Sequence, residues 1–207
     1  MDIFLERRKK LADLLPDGSV AVIHSANQKI RNGDTDYSFR QDSDFLYLTN
    51  FNEADAALVI EKKGSTIFHL LCAEKDEVRE KWEGPRLGPE NVTQLGFESG
   101  FKIDDLILKT TEFLEGADHL FCQNKSQKKL FFALTKELKG KKINFDLNPK
   151  NIKSVDSLVH ELRLLKSKEE TDIINDIFNM TDGRQYIYGE KLKAKNENEM
   201  KKISSLV

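Results

Sequence analysis

The chain has 207 residues, enough for one domain or for one domain with a fragment of another. Its 33 Lys and Arg face 35 Asp and Glu, and the net charge of −2 leaves no basic face for a nucleic acid. No run approaches the ~18 apolar residues of a membrane span, and Glu6, Arg7, Arg8, Lys9 and Lys10 leave no apolar core for a signal peptide, so a cytoplasmic location is expected.

Phe4, Leu5, Leu11, Ala12 and Leu15 recur at helical spacing, and Pro16-Asp17-Gly18 ends that helix. Ser19 to His24 reads as a strand on its β-branched Val20, Val22 and Ile23. Residues 25 to 44 are polar and turn-rich, with the sharpest break at Asn32-Gly33. Phe45 to Thr49 is predicted as a second strand, Ala56 to Ile60 as a third and Thr66 to Cys72 as a fourth, the last two joined by a hairpin over Glu61 to Ser65. The period then becomes helical. Asp76 to Trp82 and Pro89 to Gln94 are short helices, the second with Pro at its start and Gly96 past its end. Ile103 to Leu114 is a helix closed by Gly116, Leu120 to Cys122 a strand, and Ser126 to Leu138 a helix capped by Ser126 and ended by Gly140. Ile143 to Phe145 is a last strand and Val155 to Leu165 a helix. Strands first, then alternating helices and strands, indicate an α/β layered domain with a mixed sheet. Ser167-Lys168-Glu169-Glu170 has the form of a capping box, opening a helix with Ile173, Ile174, Ile177 and Phe178 on one face. Beyond Thr181 the pattern decays, and Lys191 to Lys202 is almost wholly polar.

Asp34-x-Asp36 and Asp42-x-Asp44 have the look of ligands for a hard cation, but the register of a calcium loop is absent. Aspartates in polar turns more often accept backbone N–H bonds, so Arg40, Asp42 and Asp44 are expected to fix the turn into the second strand, with Arg40 donating to carboxylates or carbonyls. His24, His69, His119 and His160 are scattered and have no paired metal spacing. Cys72 and Cys122 form no C-x-x-C and read as buried reduced thiols. Phosphate-loop, dinucleotide and nucleophile-elbow motifs are missing. In Gly84-Pro85-Arg86-Leu87-Gly88 the proline removes a donor that a phosphate loop needs. Trp82, the single tryptophan, sits before that segment. It either caps a core or projects as an anchor for a partner.

Several dense segments occur in a fixed order: Glu6-Arg7-Arg8, Gly18 to Ile23, Arg31 to Tyr37, Phe39 to Phe45, Leu48 to Ala56, Lys75-Asp76, Trp82 to Gly88, and His160 to Ser167 with Glu169-Glu170. Together they resemble the amino-terminal domain of the Xaa-Pro aminopeptidases, also called aminopeptidase P, of the creatinase and prolidase superfamily, over residues 1 to about 178. The R-Q-[DN]-S-D-F and W-x-G-x-R-x-G elements occur together, which is similar to aminopeptidase P rather than prolidase. The resemblance implies a creatinase-like, ribonuclease H-like α/β domain over residues 1–166. It implies that residues 167–207 are a linker and the first helix of a truncated, C-terminal pita-bread domain. That catalytic domain would hold two manganese ions through two Asp, one His and two Glu and release an N-terminal residue that precedes proline. None of the five ligands matches a position here, so no metal and no catalytic residue is expected in this chain. Asp34 and Trp82 match an aspartate and a tryptophan that approach a neighbouring subunit's active site in similar enzymes, which implies a role in substrate access or subunit contact and a homo-oligomeric parent. Asn50 replaces the family's usual glycine but tolerates the left-handed turn required there. Two functional readings follow: a non-catalytic domain of a metallo-aminopeptidase, or a stand-alone protein-interaction module that lacks peptidase chemistry. A third, an enzyme with its own site, finds no motif.

Overall fold

A computed structural model describes residues 2–139, 145 and 151–176. The expected strand at Ile143 and Asn144, the helix stop at Gly140, the apolar positions Ile177 and Phe178 and the tail from Thr181 lie outside the described residues. The chain divides into two compact units, Met1–Leu162 and Arg163–Val207.

The first unit is built on a six-stranded sheet, starting from β1 (Ser19–His24). β1 pairs antiparallel with β4 (Ala57–Lys63) and parallel with β7 (His119–Cys122); β4 pairs antiparallel with β5 (Ser65–Cys72), β5 parallel with β6 (Ser99–Lys102), and β7 parallel with β8 (Ile152–Ser154). The order is β6-β5-β4-β1-β7-β8. β4 alone runs against the other five.

Alternation along the strands sends side chains to two cores. Ala21, Ile23, Leu58, Ile60, Phe68, Leu70 and Phe121 pack on one face. Val20, Val22, Ala57, Val59, Leu71, Leu120 and Cys122 pack on the other. Three helices cover the first face: α1 (Ile3–Leu14), α2 (Ser43–Thr49) and α6 (Asp156–Leu164), through Leu11, Phe45, Leu48 and Val159. A 3-10 turn, Pro89–Leu95, adds Val92. A second 3-10 turn, Ile103–Asp105, leads into α4 (Leu106–Leu114). α4 and α5 (Asn124–Leu138) cover the second face through Leu106, Leu114, Leu130 and Leu134. The result is a mixed sheet flanked by helices, the layered α/β class that the sequence predicts.

Four local expectations are corrected. Phe45 to Thr49 is not a strand but the body of α2. Asp42 caps its start by accepting from the Asp44 and Phe45 amides at 3.1 and 3.0 Å, and Asn50 closes it in the left-handed region at φ 54°. The aromatic composition suits a strand, but the caps satisfy the helix termini and prevail. Ser126 does not cap α5, which begins two residues earlier; its hydroxyl donates to the Gln123 carbonyl at 3.1 Å. The turn-rich segment contains a small hairpin, β2 (Ile30–Asn32) with β3 (Thr35–Asp36), folded at Gly33. β6 and β8 are strands that the sequence does not announce. β6 passes so close to the first 3-10 turn that a Cβ on Gly100 would lie 1.9 Å from the Pro89 carbonyl oxygen.

In the second unit the capping box forms as read. The Glu170 amide donates to Ser167 Oγ at 3.3 Å, and the Ser167 amide to Glu170 Oε2 at 2.9 Å. Residues 168–176 are helical, with Ile173 and Ile174 exposed.

Candidate functional site

Five of the six strands end at the same edge of the sheet, the place where open α/β sheets bind ligands. Several polar connecting segments reach this edge too: Gln28 to Asn32 and Thr35 to Phe39 around the hairpin, Gln41 to Asp44 into α2, Asn52 to Asp55 before β4, and α3 (Glu77–Glu83) with the loop 84–88 after β5. Between them lies a groove of about 550 Å³ lined by Gln28, Asp36, Phe39, Glu53, Arg79 and Arg86, among others. A neighbouring hollow of about 630 Å³ shares Asp55, Arg79 and Arg86 with it and continues to Lys75, Lys102 and Asp104. The walls carry both signs of charge.

The turn into α2 is held by a residue that the sequence reading passed over. Gln41 is buried, and its single amide group joins three segments. Oε1 accepts from the Ala26 and Asp42 amides at 2.7 and 2.8 Å. Nε2 donates to the Phe51 and Glu53 carbonyls at 3.1 and 2.8 Å. Only an amide side chain offers donors and an acceptor together in this way. Arg40, next to it, is exposed. Asp42 caps α2 and also takes a hydrogen bond from Lys125 of α5, and Asp44 faces His160 of α6 at 3.1 Å. The two aspartates thus tie the start of α2 to two other helices. Burial pushes the Asp42 carboxyl up, but Lys125 and the two amides outweigh burial and leave it below its ordinary value. Among the described residues no group of three or more His, Cys, Asp or Glu is placed to hold a metal ion.

Two of the histidines, His24 and His69, are packed within the domain, and His160 is exposed. His69 is buried and stacks on Phe113 with ring centroids 4.4 Å apart. His24, at the end of β1, is brought down to about 4 by burial, with Lys125 and Lys129 adding to the effect. An unfolded histidine takes up its proton near pH 6.5; the folded one does so only near pH 4. The unfolded chain therefore binds more protons between these values, and stability should fall as pH drops from about 6.5 to 4. The expected loss is on the order of 2 kcal/mol, and His24→Gln should flatten that part of a denaturation-versus-pH curve. An unchanged slope in the variant would assign the loss to other groups. Burial likewise pushes the Cys72 and Cys122 thiols up to about 12, so neither is a nucleophile at neutral pH.

Of the two residues expected at a subunit or substrate contact, Asp34 is exposed beside Gly33 at the tip of the hairpin. Trp82 is 88% exposed on α3. Trp82 therefore does not cap a core. As the only tryptophan, it should show red-shifted emission that iodide quenches efficiently. Blue-shifted, unquenched emission would contradict the exposed position.

The glutamates around the 84–88 loop also went unread in the sequence. Glu80 Oε1 accepts the Arg86 amide at 3.0 Å, and Glu53 Oε1 accepts the Leu87 amide at 2.9 Å. Both residues are unremarkable in sequence, and only the fold brings them to successive amides.

A family model described as the aminopeptidase P N-terminal domain matches residues 4–121. The chain is 34% identical over 182 residues to Xaa-Pro aminopeptidase 3 of Dictyostelium discoideum, an alignment covering 82% of this chain and 32% of that protein. It is 32% identical over 181 residues to Xaa-Pro aminopeptidase of Escherichia coli K12, covering 83% and 40%. Among solved structures, zinc-substituted E. coli aminopeptidase P in complex with product superposes with a TM-score of 0.77 at 26% identity, over 86% of this chain and 42% of that one. Proline aminopeptidase P II from Yersinia pestis superposes with a TM-score of 0.73 at 27% identity, over 82% and 40%. The chain therefore spans between 32% and 42% of the length of these relatives.

Proposed function

The chain belongs to the aminopeptidase P N-terminal domain family, and on that premise we propose that it serves as the non-catalytic amino-terminal domain of a cytoplasmic, manganese-dependent Xaa-Pro aminopeptidase. In this reading it contributes to assembly of the oligomer and to the shape of the active-site entrance, and the peptides handled carry proline at their second position. The observation that carries the reading is the convergence of the hairpin, the turn before β4 and the loop after Trp82 around one groove, with Trp82 exposed on the adjoining helix. A large amphipathic ring held out in water suits contact with a partner or a peptide. The residues described do not fit a two-metal centre, and no catalytic step is assigned to them. Such a centre would activate water and polarise the scissile carbonyl.

Purified as these 207 residues and supplied with Mn²⁺, the chain is expected to leave an Xaa-Pro-Xaa tripeptide intact. Release of the first residue in proportion to chain concentration would overturn the non-catalytic role. Iodide quenching of Trp82 against chain concentration reads the assembly role: shielding upon self-association supports it.

A further inference from the structure

Among the described side chains of α3, Glu77 to Trp82, none is buried: all are exposed apart from the partly buried Glu80. A seven-residue helix without an apolar anchor cannot hold its own position by hydrophobic packing. It is capped by Asp76, which accepts from the Val78 and Arg79 amides at 2.9 and 3.2 Å, but this bond is internal. What fixes the helix to the body is the loop that follows it. Glu80 folds that loop back on α3 by accepting the Arg86 amide, and Glu53, on the turn before β4, accepts the next amide, that of Leu87. The Leu87 side chain packs against the first core. The Glu53 backbone is itself pinned, since its carbonyl accepts from Gln41.

We infer that Glu53 and Glu80 are positioning residues: their carboxylates clamp successive amides of the 84–88 loop and so set where α3 carries Trp82. Glu53 is the body-side jaw of the clamp. Its Oε1 holds Leu87, while its Oε2 is sealed from solvent and takes no hydrogen bond from the described residues. A carboxylate oxygen in that situation is costly. Burial raises the Glu53 carboxyl above its ordinary value; the Leu87 amide and Arg86 oppose this, and Glu80 adds to it. Asp36, Asp55 and Arg79 line the same groove and complete the charged groups around it. The sign follows: the folded state favours the neutral form, so the ionised Glu53 present at neutral pH costs global stability. The ionised form nevertheless makes the stronger bond to the Leu87 amide. Protonation therefore relieves the buried charge and loosens the loop. The inference uses the proposed function only to give Trp82 a task, and its test needs neither peptidase activity nor an oligomer.

The test follows Trp82 fluorescence anisotropy and Leu87 amide hydrogen exchange in the whole chain, with far-UV circular dichroism as a check of fold. Glu53→Ala is expected to lower the anisotropy and speed Leu87 exchange about tenfold. Glu53→Gln retains an acceptor oxygen. It should restore most of the anisotropy at neutral pH, raise the thermal midpoint slightly and abolish the fall in anisotropy expected of the unsubstituted chain on acidification. Glu80→Gln should retain that fall. Unchanged anisotropy and exchange in a folded Glu53→Ala would overturn the proposal. So would a pH profile that persists in Glu53→Gln, because the titrating group would then be another of the groove's carboxylates.

Discussion

Arg8→Leu is expected to cost about 3–5 kcal/mol of folding free energy, a large share of what a domain of this size possesses. Arg8 is fully buried on α1. Nη1 donates to the Leu48 carbonyl at 3.0 Å, and Nη2 to the Leu95 and Gly96 carbonyls at 2.9 Å each. The guanidinium also lies 4.1 Å from the ring centroid of Phe97. These carbonyls belong to the end of α2 and the end of the first 3-10 turn, so one side chain joins three elements, and leucine would leave the buried Leu48 acceptor and the two part-buried ones without this donor. Burial lowers the guanidinium to about 10, partly offset by Asp2 and Glu98, so it remains charged at neutral pH. Arg8→Lys should be intermediate, because an ammonium lacks the planar fork that reaches several carbonyls at once. Urea denaturation reads the effect as a fall in midpoint. A loss below about 1 kcal/mol would mean that water or a rearranged loop replaces the arginine.

Gln41→Leu is expected to cost about 2–4 kcal/mol and to disturb the groove as well. The substitution strands two amides, those of Ala26 and Asp42, and two carbonyls, those of Phe51 and Glu53. Because the Glu53 carbonyl is among them, the loss should spread to the Leu87 clamp and show as faster amide exchange at both positions. Gln41→Glu should not rescue, since it keeps the acceptor for the amides but places a carboxylate against two carbonyl oxygens. A denaturation midpoint unchanged in Gln41→Leu would remove this residue from the architecture of the site.

The family was legible because its signature is written in contiguous segments. Arg7-Arg8, Gln41 to Phe45 and Trp82 to Gly88 stand in order, and the roles of Asp42 as a cap and of Asn50 as a left-handed closure are local chemistry. The central strands were legible for a related reason. β1, β4, β5 and β7 are apolar or β-branched because they are buried on both faces, and burial is what composition records. By contrast, Ser99 to Lys102 and Ile152 to Ser154 are strands only because β5 and β7 offer them a free edge. Their own residues carry little preference. Phe45 to Thr49 misleads in the opposite direction, with strand-like residues held in a helix by its two ends.

The sequence by itself determined the α/β class, the main strands, the capping box at Ser167 and the family. The tertiary structure decided which polar residues act together. Apart from its bond to the adjacent Asp42 amide, Gln41 bonds across 10 to 15 positions of chain, Glu53 across 34 and Arg8 across 40 to 88. A hydrogen bond depends on the positions of both partners, and for partners that far apart those positions are set only when the sheet and its covering helices have closed.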